Sequence, residues 1–330
     1  MSSSSNPERS FETLVEPHRK ALRLHCYRML GSTHDCEDVV QETFVRALRS
    51  LHTLLEPAAV RGWLYRIATN VCLDELRQRP PRVRGPELGS PSRAEDAMPA
   101  ALADDAWLEP VPSAWLTLAN PAAHYDMKES VALAFVAALQ VLTPAQRAVL
   151  LLRDVVGLSA EETASSLACS LSAANSMLHR ARATLEQRVG PRNAWSPDPG
   201  ATVDRALLER YMRAWQSGDL DVILALLHED VTLSMPPIPM WLAGAADVGR
   251  FFRNRVHPSL AAAPFRTALV EANGALGVAF YRVREGGQAH FYAVQLPEVR
   301  EGRISAIDHF MAKSSLVPFV EAGVPATLAV

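Results

Sequence analysis

The sequence predicts a multidomain chain: two all-α units, the second a helix-turn-helix, then an α+β domain whose curved antiparallel sheet wraps around helices. Three observations predict it. Apolar residues recur at helical spacing through residues 11–79 and again from 128 to 189. Two capping boxes in close succession punctuate the second block. Beyond residue 200, helical spacing gives way to alternating segments joined by glycine turns. A length of 330 residues suits two or three domains, and 48% hydrophobic with 21% charged residues excludes a disordered or collagen-like chain.

In the first block (residues 1–80), Phe11, Leu14, Val15, His18, Leu22 and Cys26 mark one helix face, and Gly31-Ser32 breaks it. The next helix has an apolar side of Val40, Phe44 and Ala47 and an acidic face of Asp35, Asp38, Gln41 and Glu42. Without context such a face is only solvated. A third helix places Leu64, Ile67, Ala68, Val71 and Leu76 for burial. Trp63, Arg66, Asn70 and Arg77 make a mixed aromatic and basic surface suited to single-stranded DNA, where bases stack and cations hold the backbone. Core packing is the alternative for Trp63 and the preferred reading for Tyr65.

Residues 81–127 read as an acidic, proline-rich linker. Pro80, just before it, and Pro81, Pro86, Pro91, Pro99, Pro110, Pro112 and Pro121 interrupt any regular element, and Glu87, Glu95, Asp96, Asp104, Asp105, Glu109 and Asp126 charge it. The overall charge of −3 looks unfavourable for nucleic acid, but its distribution removes the objection. Residues 1–80 are net +1, 81–127 net −4, 128–193 net +2 and 194–330 net −2.

The second block (residues 128–193) carries the helix-turn-helix. Thr143-Pro144-Ala145-Gln146 is a capping box with proline at the first helical position; its helix runs to about Val155, and Gly157 ends it. Ser159-Ala160-Glu161-Glu162 caps a short helix through Leu167. Ala168-Cys169-Ser170 is a tight turn, and Ser170 caps a third helix with the apolar stripe Ala174, Leu178, Ala181 and Leu185. The opposite face presents Ser172, Asn175, Ser176, His179, Arg180 and Arg182. Small polar residues admit the helix N-terminus to the major groove, and the cations behind them meet phosphates. A three-helix bundle with a solvated face is the alternative.

In the third domain (residues 200–320), an amphipathic helix over 203–228 is broken at Gly218-Asp219, and a strand covers Asp230–Met235. A helix over Ala245–Val256 precedes four strands at Phe265–Ala272, Leu276–Arg284, Ala289–Leu296 and Arg303–Ala312. Asn273-Gly274, Gly286-Gly287 and Glu301-Gly302 are hairpin signals.

Two stretches, Asp35–Phe44 and Trp63-Leu64-Tyr65-Arg66-Ile67-Ala68-Thr69-Asn70, resemble region 2 of the extracytoplasmic-function sigma factors of the sigma-70 family. Leu142–Arg147 through His179-Arg180-Ala181-Arg182 resembles their region 4. The resemblance implies transcription initiation, with core RNA polymerase (its β′ and β subunits) and promoter DNA as partners. It implies docking on polymerase by Asp35, Asp38, Gln41, Glu42 and Phe44. It implies −10 recognition across residues 50–78, with Arg61, Trp63, Arg66, Asn70, Asp74 and Arg77 as candidates. Reading of the −35 element falls to Ser172, Asn175, Ser176, His179, Arg180 and Arg182. Ala173 and Ala174 leave few long donors near that helix start, so −35 recognition is expected to lean on phosphates and DNA shape, with Asn175 the main base reader.

Tyr211–Trp215, Asp219-Leu220-Asp221 and His228-Glu229-Asp230-Val231 resemble the SnoaL-like cone, which implies a pocket between sheet and helices. Its candidate lining is Tyr211, Trp215, His228, Met235, Trp241, Phe252, His290, Tyr292 and His309. Ordinary core and rim is the first reading of these residues, a ligand pocket the second and catalysis the last. Asp308 and His309 are adjacent, so a regular strand points them to opposite faces, which weighs against a catalytic dyad.

The expected function is a sigma factor regulated in cis by its C-terminal domain, with no enzyme activity, cofactor or metal. An anti-sigma factor or a small ligand at the C-terminal domain is left open as a further partner. The competing readings are an isomerase- or cyclase-type enzyme tethered to a DNA-binding module, and a simple repressor. The polar N-terminus, the lack of an 18-residue apolar run and the scattered cysteines (Cys26, Cys36, Cys72, Cys169) lead to the expectation of a cytoplasmic protein with reduced thiols and no membrane contact.

Overall fold

The computed structural model describes residues 7–79, 81–116, 132–189, 204–260, 264–284 and 286–329. The end of the expected linker, the start of the second helical block and the Gly190–Gly200 boundary lie outside them. The chain divides into two compact units. One combines residues 1–82 with 116–196, and the other combines 83–115 with 197–330.

Among the described residues, the first unit is all helix. Its helices α1 (Pro7–Val15), α2 (Arg19–Leu30), α3 (Thr33–Arg49) and α4 (Val60–Leu76) bury Leu22, Cys26, Val40, Ala47, Leu64, Ala68 and Cys72. Ser32 caps α3 by accepting from the Asp35 amide at 3.1 Å. Then come α5 (Leu133–Gln140), α6 (Pro144–Leu150, continued by a π turn over Leu151–Val155), α7 (Ala160–Ser166) and α8 (Leu171–Val189). Both capping boxes form, at Thr143 with Gln146 and at Ser159 with Glu162. Ala168 takes φ 50° in the turn before α8, and Ser170 accepts from the Ala173 amide. The stripe Ala174, Leu178, Ala181 and Leu185 is buried. Each helix start that the sequence marked is held by the side chain that marked it.

In the second unit, α9 (Arg205–Ser217) and α10 (Leu220–Ala225) lead into β1 (Leu227–Met235) and β2 (Ile238–Ala243). There follow α11 (Ala245–Phe251, continued by a π turn over Phe252–Val256) and α12 (His257–Leu260). Next are β3 (Phe265–Ala272), β4 (Ala275–Val283), β5 (Gln288–Arg300), β6 (Arg303–Phe310), α13 (Lys313–Glu321) and β7 (Thr327–Ala329). The expected curved, wholly antiparallel sheet is corrected. The sheet is mixed and open, in the order β2-β1-β6-β5-β4-β3, with β7 on β5. Its first and last long strands, β1 and β6, run parallel, with Ser234 opposite Asp308. Hairpin signals specify only neighbouring strands. The β1–β6 pairing joins strands about 70 residues apart, and no local motif encodes it. The turn at Asn273-Gly274 has φ 51° and 77°, the left-handed pair that a two-residue hairpin needs.

Trp215 anchors the core of this unit. Its ring meets Phe252 at 5.2 Å, Phe280 at 5.7 Å and Phe265 at 6.1 Å, all edge to face. Such pairs add about 0.5–1.5 kcal/mol each to the gain from apolar burial.

Candidate nucleic-acid interface and a cavity

In α3, Asp35 is nearly buried and salt-bridged to Arg79 (2.7 Å) and Arg82 (2.6 Å). Burial alone would raise its pKa, but the two guanidinium groups outweigh it and hold the carboxyl below its ordinary value. Asp38 and Gln41 are exposed. Glu42 pairs with Arg46 at 2.7 Å, and Arg46 also reaches Asp74 at 3.0 Å. Phe44 is buried under the Arg19 guanidinium, 4.6 Å from its ring centre.

The α4 residues expected at the −10 element divide. Trp63 is buried, with its indole N–H on Thr53 at 3.0 Å, so it presents little stacking face in this arrangement. Arg61 donates to the Val156 carbonyl at 2.5 Å, and Asn70 donates to the Ser166 carbonyl at 3.5 Å. Asp74 holds Arg77 at 2.7 Å, and Arg66 is half-buried. Two candidates on the first helical block are therefore occupied by backbone of the second. The buried Arg147 reinforces that packing by donating to the Met29 carbonyl and to Gln140 Oε1 at 2.8 Å. Burial lowers its pKa to about 10, so it stays charged at neutral pH.

On α8, Ser172, Asn175, Ser176, His179 and Arg180 are all exposed, on the side away from the buried stripe. Arg182 is exposed but bidentate to Asp154, at 2.6 and 3.0 Å. A polar helix face with small residues at its start and cations behind is free to enter a groove.

In the second unit, residues 83–115 bind along the sheet domain. Arg84 pairs with Asp308 (2.6 Å) and Glu298 (3.0 Å). Burial acts against its charge, yet the two carboxylates prevail and raise its pKa. Gly85 sits so close to β1 and β2 that a Cβ would lie 2.4 Å from Ser234 Cβ. Trp241 donates to the Gly89 carbonyl at 3.1 Å. Arg255 donates to the carbonyls of Ala94, Glu95 and Asp96, and Asn273 Oδ1 accepts from the Val111 amide. Pro112 bridges to Ala272.

Beneath lies a cavity of about 190 Å³. Of the residues expected to line it, Trp215, Met235, Phe252, Tyr292 and His309 do so. Tyr211 instead donates to Gln295 at 2.9 Å, and burial raises its pKa. His228 binds Arg300, Trp241 holds residue 89, and His290 pairs in register with Thr327 of β7. Strict alternation puts His290 and Tyr292 on one face, but a bulge sets Phe280 opposite Ala293 and Tyr281 opposite Phe291, leaving Tyr292 as the extra residue. Met98, Arg255, Arg282 and Gln295 also line the cavity. Alternation with Phe280 makes Arg282 legible in the sequence, whereas Met98 lies in an aperiodic segment with no such signal. His309 Nδ1 is buried with no hydrogen-bond partner among the described residues, and burial lowers the pKa of the ring to about 4.

Comparison with known proteins places these features. Residues 14–80 match the Sigma-70 region 2 family, residues 132–185 the Sigma-70 region 4 family, and residues 208–307 the SnoaL-like domain family. The chain is 37% identical over 322 residues to the ECF RNA polymerase sigma factor SigG of Mycobacterium tuberculosis, covering 96% of this chain and 85% of that protein. The crystal structure of the Mycobacterium tuberculosis extracytoplasmic function sigma factor SigJ is similar, with TM-score 0.58 and 25% identity, over 94% of this chain and 98% of that one. A Δ5-3-ketosteroid isomerase from a Mycobacterium species is a further neighbour, at 17% identity and TM-score 0.27 over 33% of this chain and 93% of that one. The expectation that the chain is not an enzyme is withdrawn. Its C-terminal domain matches the SnoaL-like family and holds a largely apolar cavity with an imidazole nitrogen that has no hydrogen-bond partner among the described residues. Among the described residues, no helix is long and apolar enough to cross a membrane. With both sigma regions matched in order and near full-length similarity to SigG, the chain belongs to the extracytoplasmic-function sigma factors, which bind core RNA polymerase and promoter DNA.

Proposed function

We propose that the C-terminal domain regulates this sigma factor in cis by holding residues 83–115, the stretch between its two DNA-binding regions. The observation that carries this is the set of bonds along that stretch: Arg84 to Asp308, Arg255 to three successive carbonyls, and Val111 to Asn273. Spreading regions 2 and 4 over separated promoter elements needs a free connecting segment, so each bond opposes opening. Opening also frees Arg61 and Asn70 to face the −10 element beside Trp63, Arg66, Asp74 and Arg77. The exposed face of α8 then takes the −35 element, while Asp35, Asp38, Gln41, Glu42 and Phe44 meet polymerase. The test is in vitro transcription with core polymerase, comparing the full chain with an Arg84→Met/Arg255→Ala variant. Several-fold higher initiation from the variant is expected; equal activity and equal core affinity would overturn the reading.

A second reading, that the C-terminal domain is catalytic, is favoured by His309. A neutral imidazole with a free nitrogen in an apolar cavity is placed to take a proton from a bound molecule. Deuterium uptake into 2-tetralone, followed by NMR, tests it. Uptake lost in His309→Gln supports catalysis, and none above buffer rejects it for this ketone class.

A further inference from the structure

The cavity has a charge pattern that neither reading uses. Among its described lining residues are two guanidinium groups, Arg255 and Arg282, and no carboxylate. Arg255 is committed to the carbonyls of residues 94–96. Arg282 makes no ion pair among the described residues; its charge lies over the rings of Tyr292 (5.6 Å) and Phe265 (5.8 Å). A cation in an apolar wall favours an anion, because the low dielectric strengthens their attraction. The aromatic wall offers flat faces to a ring, and His309 Nδ1 leaves one hydrogen bond unmade. A dry cavity of about 150 Å³ holds benzene, so about 190 Å³ suits one ring and, with displacement of a mobile side chain, two.

Met98 is that side chain. It comes from the held segment, lines the cavity and is 42% exposed. Arg255 lies in the same wall and grips the three residues at 94–96. We propose that the cavity binds a one- or two-ring aromatic carboxylate, whose carboxylate pairs with Arg282 and whose ring displaces Met98, loosening residues 94–98 from the domain. The binding stands on the cavity alone, and its consequence for transcription rests on the cis-regulatory reading.

The test is calorimetry on the full chain with 2-naphthoate against its uncharged analogue 2-naphthamide, with hydrogen exchange measured at residues 94–98. The acid is expected to bind at least about tenfold tighter than the amide, the carboxylate–guanidinium pair contributing about one such factor. Arg282→Gln should abolish that difference, Met98→Ala should tighten binding of the acid, and exchange at 94–98 should rise with 2-naphthoate bound. The acid-to-amide comparison needs no variant, so misfolding of Arg282→Gln does not weaken the test. No binding of the acid, equal binding of acid and amide, or unchanged exchange at 94–98 overturns the proposal. Binding with loosened residues but unaltered transcription upholds the site and sinks the cis-regulatory reading.

Discussion

Asp308 and His309 are neighbours on β6 that serve opposite faces of the sheet. Asp308 receives the Arg84 guanidinium at 2.6 Å and the Ser234 hydroxyl at 2.5 Å, while His309 lines the cavity against Phe280 and Tyr292. One strand therefore carries both an anchor of the 83–115 segment and a wall of the cavity.

Removing the anchor leaves Asp308 buried without its cation. Breaking one side of such a pair costs about 3–5 kcal/mol, because the remaining charge is uncompensated. Arg84→Met is expected to lower the stability of the second unit by about that amount, toward the low end since Glu298 is half exposed. Urea denaturation measures it, and limited proteolysis should find residues 83–103 newly cleavable.

Gly85 is a second anchor of a steric kind. With a Cβ placed 2.4 Å from Ser234 Cβ and 3.0 Å from Trp241 Cβ, Gly85→Ala forces the segment off β1 and β2. A loss of about 1–3 kcal/mol is expected from the overpacking. Thermal unfolding checks it, and a cost within about 0.5 kcal/mol, that of an unremarkable surface site, contradicts the close approach.

Acid should destabilise both units through histidines that stay neutral when folded. His25 is fully buried, with Nε2 on Thr69 at 2.9 Å, and burial together with the Arg28 charge lowers its pKa to about 3; His309 falls to about 4 by burial. The unfolded chain takes up protons below about pH 6.5 that the native fold refuses, so stability is full above that pH and is lost as the pH falls toward 4 and then 3. At pH 5.5 the loss from His25 is about 1.4 kcal/mol. The urea midpoint should drop between pH 7 and 4.5, and His25→Gln should flatten the fall in the first unit.

On α8 two substitutions should behave differently. Asn175→Ala is expected to cost about 1–3 kcal/mol on the preferred −35 sequence and to relax choice at one base position. Arg180→Ala should weaken all duplexes alike and reduce the salt slope of binding by about one. Titrations of holoenzyme at two or more salt concentrations separate them. Equal losses on every sequence for Asn175→Ala would remove it as a base reader.

Local chemistry made much of this protein legible. The capping boxes at Thr143 and Ser159, the buried stripe on α8 and the Asn273-Gly274 hairpin follow from residues within one or two turns of each other, and short-range geometry decides them. The sigma motifs were legible for the same reason, as contiguous runs on single helices. Tertiary structure decided what depends on distant partners. It paired β1 with β6 in parallel, and it bulged β5 so that Tyr292 turned inward and His290 did not. It tied Arg61 and Asn70 to the second helical block, and it laid a proline-rich stretch across a sheet that begins over a hundred residues later. Prolines and acidic residues argued against a long regular element in that stretch; opposing residues of the domain, among them Asp308, Arg255 and Asn273, determined where it binds. The reason is physical: periodicity and capping are properties of a segment, whereas a buried ion pair or a cavity wall exists only when separate segments meet.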